Sequence, residues 1–201
     1  EWRWLAGAIV FGGLLAPTLL VIGLTHADAG AASLMLNLEA VFTAVLAWVV
    51  FKENADRRIV LGMLLIVAGG AVLAWPSANS ESPDWIGPLA IAAACLCWAV
   101  DNNLTRRVSG SDALFIAGAK GWTAGVVNTS LALLSGASLP AWSTAGAAMT
   151  VGLLGYGLSL ALFVRALRNL GTARTGAYFS TAPFIGAAIA ILLLDEPTTA
   201  A

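Results

Sequence analysis

The sequence is short of charge. Only 10% of its 201 residues are Asp, Glu, Lys or Arg, against about 25% in a soluble domain. Ten basic and eleven acidic residues cannot coat a globule of this size, which excludes an ordinary cytosolic enzyme. The net charge of −1 offers no basic face to a nucleic acid. A composition that is 59% hydrophobic is equally wrong for a disordered chain. Cysteine is scarce: Cys95 and Cys97 share one apolar stretch and provide neither a disulfide framework nor metal-ligand spacing. Histidine is represented by His26 alone, in a predicted outer turn, so a hydrolytic triad has no deep base. The HExxH, GxSxG and GKS/T motifs are missing. The expectation is therefore no enzyme, no cofactor, no metal and no ATP-driven transport by this chain.

What is present is apolar sequence, with a mean hydropathy of +0.86. Crossing a bilayer takes roughly 20 apolar residues as a helix. Seven runs qualify, at about 4–24, 31–51, 58–75, 86–104, 113–134, 146–167 and 174–194, joined by short polar connections. Backbone groups cannot stay unpaired in hydrocarbon, so each run is predicted helical. The runs are continuous rather than alternating, which excludes a barrel. The first run lacks a small-residue cleavage site and is followed by six more, so it is not a signal peptide.

Alternating the runs across the membrane puts Arg3, Lys52, Arg57, Arg58, Arg106, Arg107, Arg165, Arg168 and Arg174 on one side, nine of the ten basic residues. That side is predicted cytoplasmic by the positive-inside rule, in the plasma (inner) membrane. Six tryptophans, among them Trp2, Trp48, Trp85 and Trp142, fall near predicted interfaces. Trp98 and Trp122 fall deeper and read as packing residues.

An internal repeat runs through the chain. Residues 4–53 overlay 147–196 without a gap, a shift of 143 positions that pairs Gly12 with Gly155, Ala44 with Ala187 and Glu53 with Glu196. By the charge rule the two copies run in opposite directions, the plan of many secondary transporters. The expected fold is all-α: a polytopic transmembrane bundle with an inverted five-plus-five repeat, of which seven helices are present. Residues 1–75 would be the last three helices of one repeat, 76–85 an external linker, and 86–201 the first four helices of the next. The unmatched spans imply a longer protein of roughly 280–300 residues at about 20 per span plus loops.

The stretches LMLNLEAVFTAVLAWVVFKE (34–53), RRIVLGMLLIVAGGAVLAW (57–75) and LGTARTGAYFSTAPFIGAAIAILLLDEP (170–197) resemble the EamA family of the drug/metabolite transporter superfamily. The resemblance implies ten transmembrane helices, inverted repeats and transport of small metabolites, often export of amino acids or drugs. Pro183 has no counterpart in the first repeat, where Ala40 stands, although family members often carry a proline there. A helix break is therefore expected near Phe179 in the second repeat and is less expected in the first.

Ionisable residues inside a membrane cost about 2.5–3.5 kcal/mol at the helix centre and face a cavity or a partner. Glu39, in the middle of span 31–51, reads as a proton-coupling or substrate-amine site, or as a protonated acid bonded between helices. Lys120 and Asp101 fall at compatible depths on consecutive antiparallel spans. Their pairing is a structural bridge, or else a cytoplasmic-side gate or an anchor for a zwitterionic substrate lining the inner half of a cavity, unless Lys120 snorkels to the interface. Asn102 extends that cluster; Tyr178 and Thr181 are further candidates for the substrate site. Ala113, Ala117, Gly121 and Gly125 form a small-residue stripe suited to close helix packing.

These residues point to a secondary transporter of small metabolites, amino-acid-like, amphipathic or drug-like. It would work as an exporter by alternating access around a midplane cavity, with protons and the lipid bilayer as the other partners and Glu39 as the coupling group. The competing reading is a non-transporting membrane subunit for packing or sensing, which has no need of three intramembrane charges.

Overall fold

The computed structural model describes residues 1–27, 32, 35–54, 57–73 and 85–182. Pro183, the linker 76–84 and the distal part of span 174–194 lie outside these residues. The described residues form seven helices and no strand: α1 Trp2–Leu24, α2 Leu38–Val49, α3 Arg57–Leu73, α4 Ile86–Val108, α5 Ala113–Leu134, α6 Trp142–Leu170 and α7 Thr172–Phe179. At 1.5 Å per residue, the 23 residues of α1 or α4 reach roughly 35 Å, enough to cross a bilayer.

Helix α4 is the hub. It packs along α1 and α2 and also touches α6 and α7. Small residues permit this close approach. Ala94 and Ala99 on α4 and Ala40, Ala44 and Ala47 on α2 are all buried, the last three grouped with Met63 of α3 and Ala173 of α7. A second apolar group joins Leu5, Val108, Ala113, Ile116 and Val164 from α1, α4, α5 and α6. Large apolar side chains such as Leu61, Leu64, Leu89, Leu134, Met149 and Leu153 are exposed. Hydrocarbon solvates such a surface at no cost, whereas water does not.

Three departures from the sequence reading matter. The first concerns span 31–51. Ala32 and Met35 are helical, Leu36 and Asn37 form a turn, and α2 starts at Leu38. Glu39 therefore sits in the first turn of a helix, not in the middle of one. The break needs no proline, because the Cys95 thiol points at the carbonyls of Met35 and Leu36, at 3.6 and 3.9 Å. Its counterpart comes 144 positions on, one off the repeat spacing: α7 ends at Phe179, with Ser180 and Thr181 in a turn.

The second departure is a widening of the helical coil. Ile9–Leu15 within α1 and Gly152–Leu158 within α6 are π-helical, and the two segments are 143 positions apart. Such segments loosen the regular carbonyl pairing and cluster at functional sites. In α1, side chains from neighbouring helices take up the carbonyls: the Trp98 indole N–H donates to Gly12 O at 3.2 Å, and Asn128 Nδ2 donates to Gly13 O at 2.8 Å.

The third concerns packing residues. Trp122 is 76% exposed and so is not a core residue. Ala113 and Ala117 of the small-residue stripe are buried, but a methyl group on Gly121 or Gly125 would meet nothing within 4 Å. Among the described residues the stripe packs only over its first half.

One end of the bundle collects the basic residues. Arg168 donates to the carbonyls of Ser109, at 2.5 Å, and Ser111, tying α6 to the α4–α5 turn. Arg107 lies 5.1 Å from the Phe51 ring centroid, and Trp2 stacks edge-on against Phe115.

Candidate functional site

Helices α2 and α4 bring two polar pairs to the same level, each with a hydroxyl one turn further along: Glu39 with Thr43, and Asp101 with Thr105. Asn102 joins them. Its Nδ2 donates to Glu39 Oε1 at 2.9 Å and to Thr43 Oγ1 at 3.1 Å. Asn103, next on α4, donates to the Thr43 carbonyl at 3.1 Å and locks the two helices in register.

Lys120 comes from α5. Its ammonium is 2.5 Å from Asp101 Oδ1 and 3.0 Å from Thr105 Oγ1, while Thr105 donates to Asp101 at 2.8 Å. Asp101 and Lys120 are 6% and 7% exposed, so the lysine does not snorkel. Glycine makes room for the aspartate. A Cβ on Gly12 would coincide with the Asp101 carboxylate, and only the bare backbone of the π-helical segment lets α4 carry a charge there.

Two adjoining cavities open beside these groups, of about 210 and 290 Å³. Glu39, Trp98, Asn102, Phe163 and Phe179 line both. The smaller one also touches Asp101, Lys120, Gly155 and Tyr156; the larger runs along Ala40, Thr43, Gly176 and Ser180. The site thus lies where the interrupted helices α2 and α7 meet the hub, and it includes the second π-helical segment through Gly155.

The structure brings Glu39, Asp101, Asn102 and Lys120 together. It does not bring Tyr178 or Thr181 to them. Tyr178 is 69% exposed and borders, with Leu158 and Leu162, an adjoining groove that shares Phe163 and Phe179 with the two cavities but not the charged groups. Thr181 is exposed and donates to the Tyr178 carbonyl at 2.7 Å. The phase of α7 explains the miss, since Thr172, Ala173, Gly176 and Ser180 occupy its buried face.

Sequence reasoning missed four residues. Trp98 precedes Asp101 by three positions on one helical face, a signal that was available. Phe163 and Phe179 stand edge-to-face at 5.2 Å and wall the cavities. Glu53, seen only as a repeat marker, caps α7. Its carboxylate accepts from Thr172 N at 2.9 Å, Thr172 Oγ1 at 2.8 Å and Ala173 N at 3.4 Å, with Arg106 Nε 3.9 Å away. Lys52, at φ 57, turns the chain to deliver it, and Gly171, at φ 83, opens the space. No group of three or more metal-ligating side chains occurs among the described residues.

The EamA-like transporter family profile matches residues 1–75 and 85–201. An "Uncharacterized transporter" of Methanothermobacter thermautotrophicus is 30% identical over 92% of this chain and 55% of its own length. A "Probable amino-acid metabolite efflux pump" of Salmonella typhimurium is 34% identical over 40% of this chain and 27% of its own. A "Probable 4-amino-4-deoxy-L-arabinose-phosphoundecaprenol flippase subunit ArnE" of Pseudomonas aeruginosa is 44% identical over 36% of this chain and 60% of its own. The chain therefore spans about half the length of the first of these relatives, and no more than 60% of the others. A crystal structure of another protein overlays all of this chain and 70% of its own, with a TM-score of 0.79 at 20% identity, a likeness of fold alone. With both matched stretches together covering nearly every residue, the chain belongs to the EamA-like transporter family, a family of integral membrane transporters and not of enzymes.

Proposed function

We propose that the protein is a secondary transporter that exports small metabolites across the plasma (inner) membrane by alternating access. The observation that carries this reading is the pair of cavities bordered by Glu39, Asp101, Asn102 and Lys120 between interrupted helices. Transporters bind substrate near the midplane at such breaks. A packing or sensing subunit gains nothing from placing three ionisable groups around a void. The names of two relatives specify amino compounds, which supports an amine-bearing substrate here.

In this reading residues 1–75 and 86–201 belong to two inverted repeats, and the basic end faces the cytoplasm. The π-helical segments, 143 positions apart, and the breaks, 144 apart, support the repeat. Rocking one repeat against the other opens the cavity alternately to each side. In this reading the contact of Glu53 in the first repeat with Thr172 in the second is what holds the basic end shut. Glu39 binds the substrate or exchanges a proton for it.

The test is accumulation of labelled amines and amino acids in liposomes holding the full-length protein. Saturable, protein-dependent movement of at least one compound is expected. Binding without movement of any compound favours the non-transporting subunit.

A further inference from the structure

We infer that the cavity selects amphipathic monocations, amines or quaternary ammonium ions with an aryl or branched apolar body, over zwitterions of the same body. The inference rests on these cavities being the substrate site. It follows from the charges that line them. Among the described residues, the charged groups at the two cavities are Glu39, Asp101 and Lys120. Two of the three cancel: Lys120 and Asp101 are 2.5 Å apart, and Thr105 holds both. A substrate carboxylate that draws on Lys120 competes with Asp101 for the one cation and comes to lie beside a second, buried anion. A substrate cation has no such obstacle, because Glu39 is the remaining acid. It accepts a hydrogen bond from the neutral Asn102 amide and borders both cavities.

The aromatic wall points to the same class. Trp98, Phe163 and Phe179 border both cavities alongside Glu39. Trp98 cannot turn freely, since its indole N–H is held by the Gly12 carbonyl at 3.2 Å. Phe163 and Phe179 fix one another edge-to-face. Fixed aromatic rings around a single carboxylate attract a cation through their faces and accept its apolar body by contact. The phenolic ring of Tyr156 extends this wall at the smaller cavity. A free amino acid satisfies one half of the site, while its carboxylate finds only hydroxyls such as Tyr156 and Ser159 and a lysine already paired with Asp101. The corresponding amine satisfies the whole.

The experiment is calorimetric titration of the full-length protein in nanodiscs with four ligands that share one ring: phenethylamine, benzyltrimethylammonium, phenylalanine and 3-phenylpropionate. The two cations are expected to bind at least tenfold tighter than phenylalanine, with 3-phenylpropionate weakest. Glu39→Gln is expected to collapse the preference to less than threefold. Phenylalanine binding as tightly as phenethylamine overturns the inference, and so does a preference that survives Glu39→Gln. If that variant does not fold, the wild-type order of the four ligands decides alone. Absence of binding by all four also overturns it. The predicted binding order without movement in liposomes leaves the selectivity standing and contradicts transport. Movement of phenylalanine without the binding order does the reverse.

Discussion

Removing Lys120 alone should harm the protein more than removing Lys120 and Asp101 together. Both side chains are more than nine-tenths buried, and their charges are compensated chiefly by each other. Lys120→Met leaves an anion with only the Thr105 hydroxyl, and Asp101→Asn leaves a cation with the same hydroxyl and an amide. Breaking a buried pair from one side costs about 3–5 kcal/mol. The insertion cost of a lone charge at a helix centre, about 2.5–3.5 kcal/mol, sets the same scale. Replacing both partners removes two charges and their attraction together, so the double variant should lie within about 1–2 kcal/mol of the parent. The coupling energy between the two sites is then several kcal/mol, well above the few tenths at which distant sites add. Unfolding of the full-length protein by SDS in mixed micelles measures all three variants against the parent. A double variant whose loss equals the sum of the two single losses refutes the argument, because the groups would then not be compensating each other.

Gly12→Ala places a methyl group on the Asp101 carboxylate and should cost about 1–3 kcal/mol by overpacking, read in the same SDS titration. Asn128→Leu removes the donor to the Gly13 carbonyl and should cost about 0.6 kcal/mol, the usual worth of an interhelical hydrogen bond in a membrane. Glu53→Gln weakens the cap on α7 by about 1 kcal/mol and should loosen the Glu53–Thr172 contact at the basic end. It should raise labelling of a cysteine placed at Ser159, beside the smaller cavity, by an impermeant maleimide applied from the cytoplasmic side. Labelling that does not rise limits Glu53 to a structural cap.

Much of this architecture is written in the chain. The apolar runs locate the helices because hydrocarbon permits no other backbone solution. The Asp101–Lys120 contact follows from counting residues inward from two adjacent loop ends, since a helix rises uniformly. Glu39 is legible as an intramembrane acid, but its place in a helix is not. The turn at Leu36–Asn37 is held by Cys95, about 60 positions away, and leaves no local mark. The first π-helical segment is hidden for the same reason: its Gly12 and Gly13 carbonyls are bonded by Trp98 and Asn128 on other helices. Tyr178 and Thr181 have suitable chemistry, but the rotational phase of α7 and of the turn after it leaves both facing outward. Glu53, an acid at a helix end, is indistinguishable in sequence from a solvated charge. Only the approach of α7 gives it a role.

The central claim is that Glu39 couples the cavity to movement across the membrane. The direct measurement is proton flux in liposomes of the full-length protein under an imposed pH gradient, with amines and amino acids added in turn, for the parent and Glu39→Gln. The account predicts that at least one amine drives flux in the parent and that Glu39→Gln abolishes it while remaining folded. Flux undiminished in a folded Glu39→Gln protein contradicts it, and makes Glu39 a structural partner of Asn102.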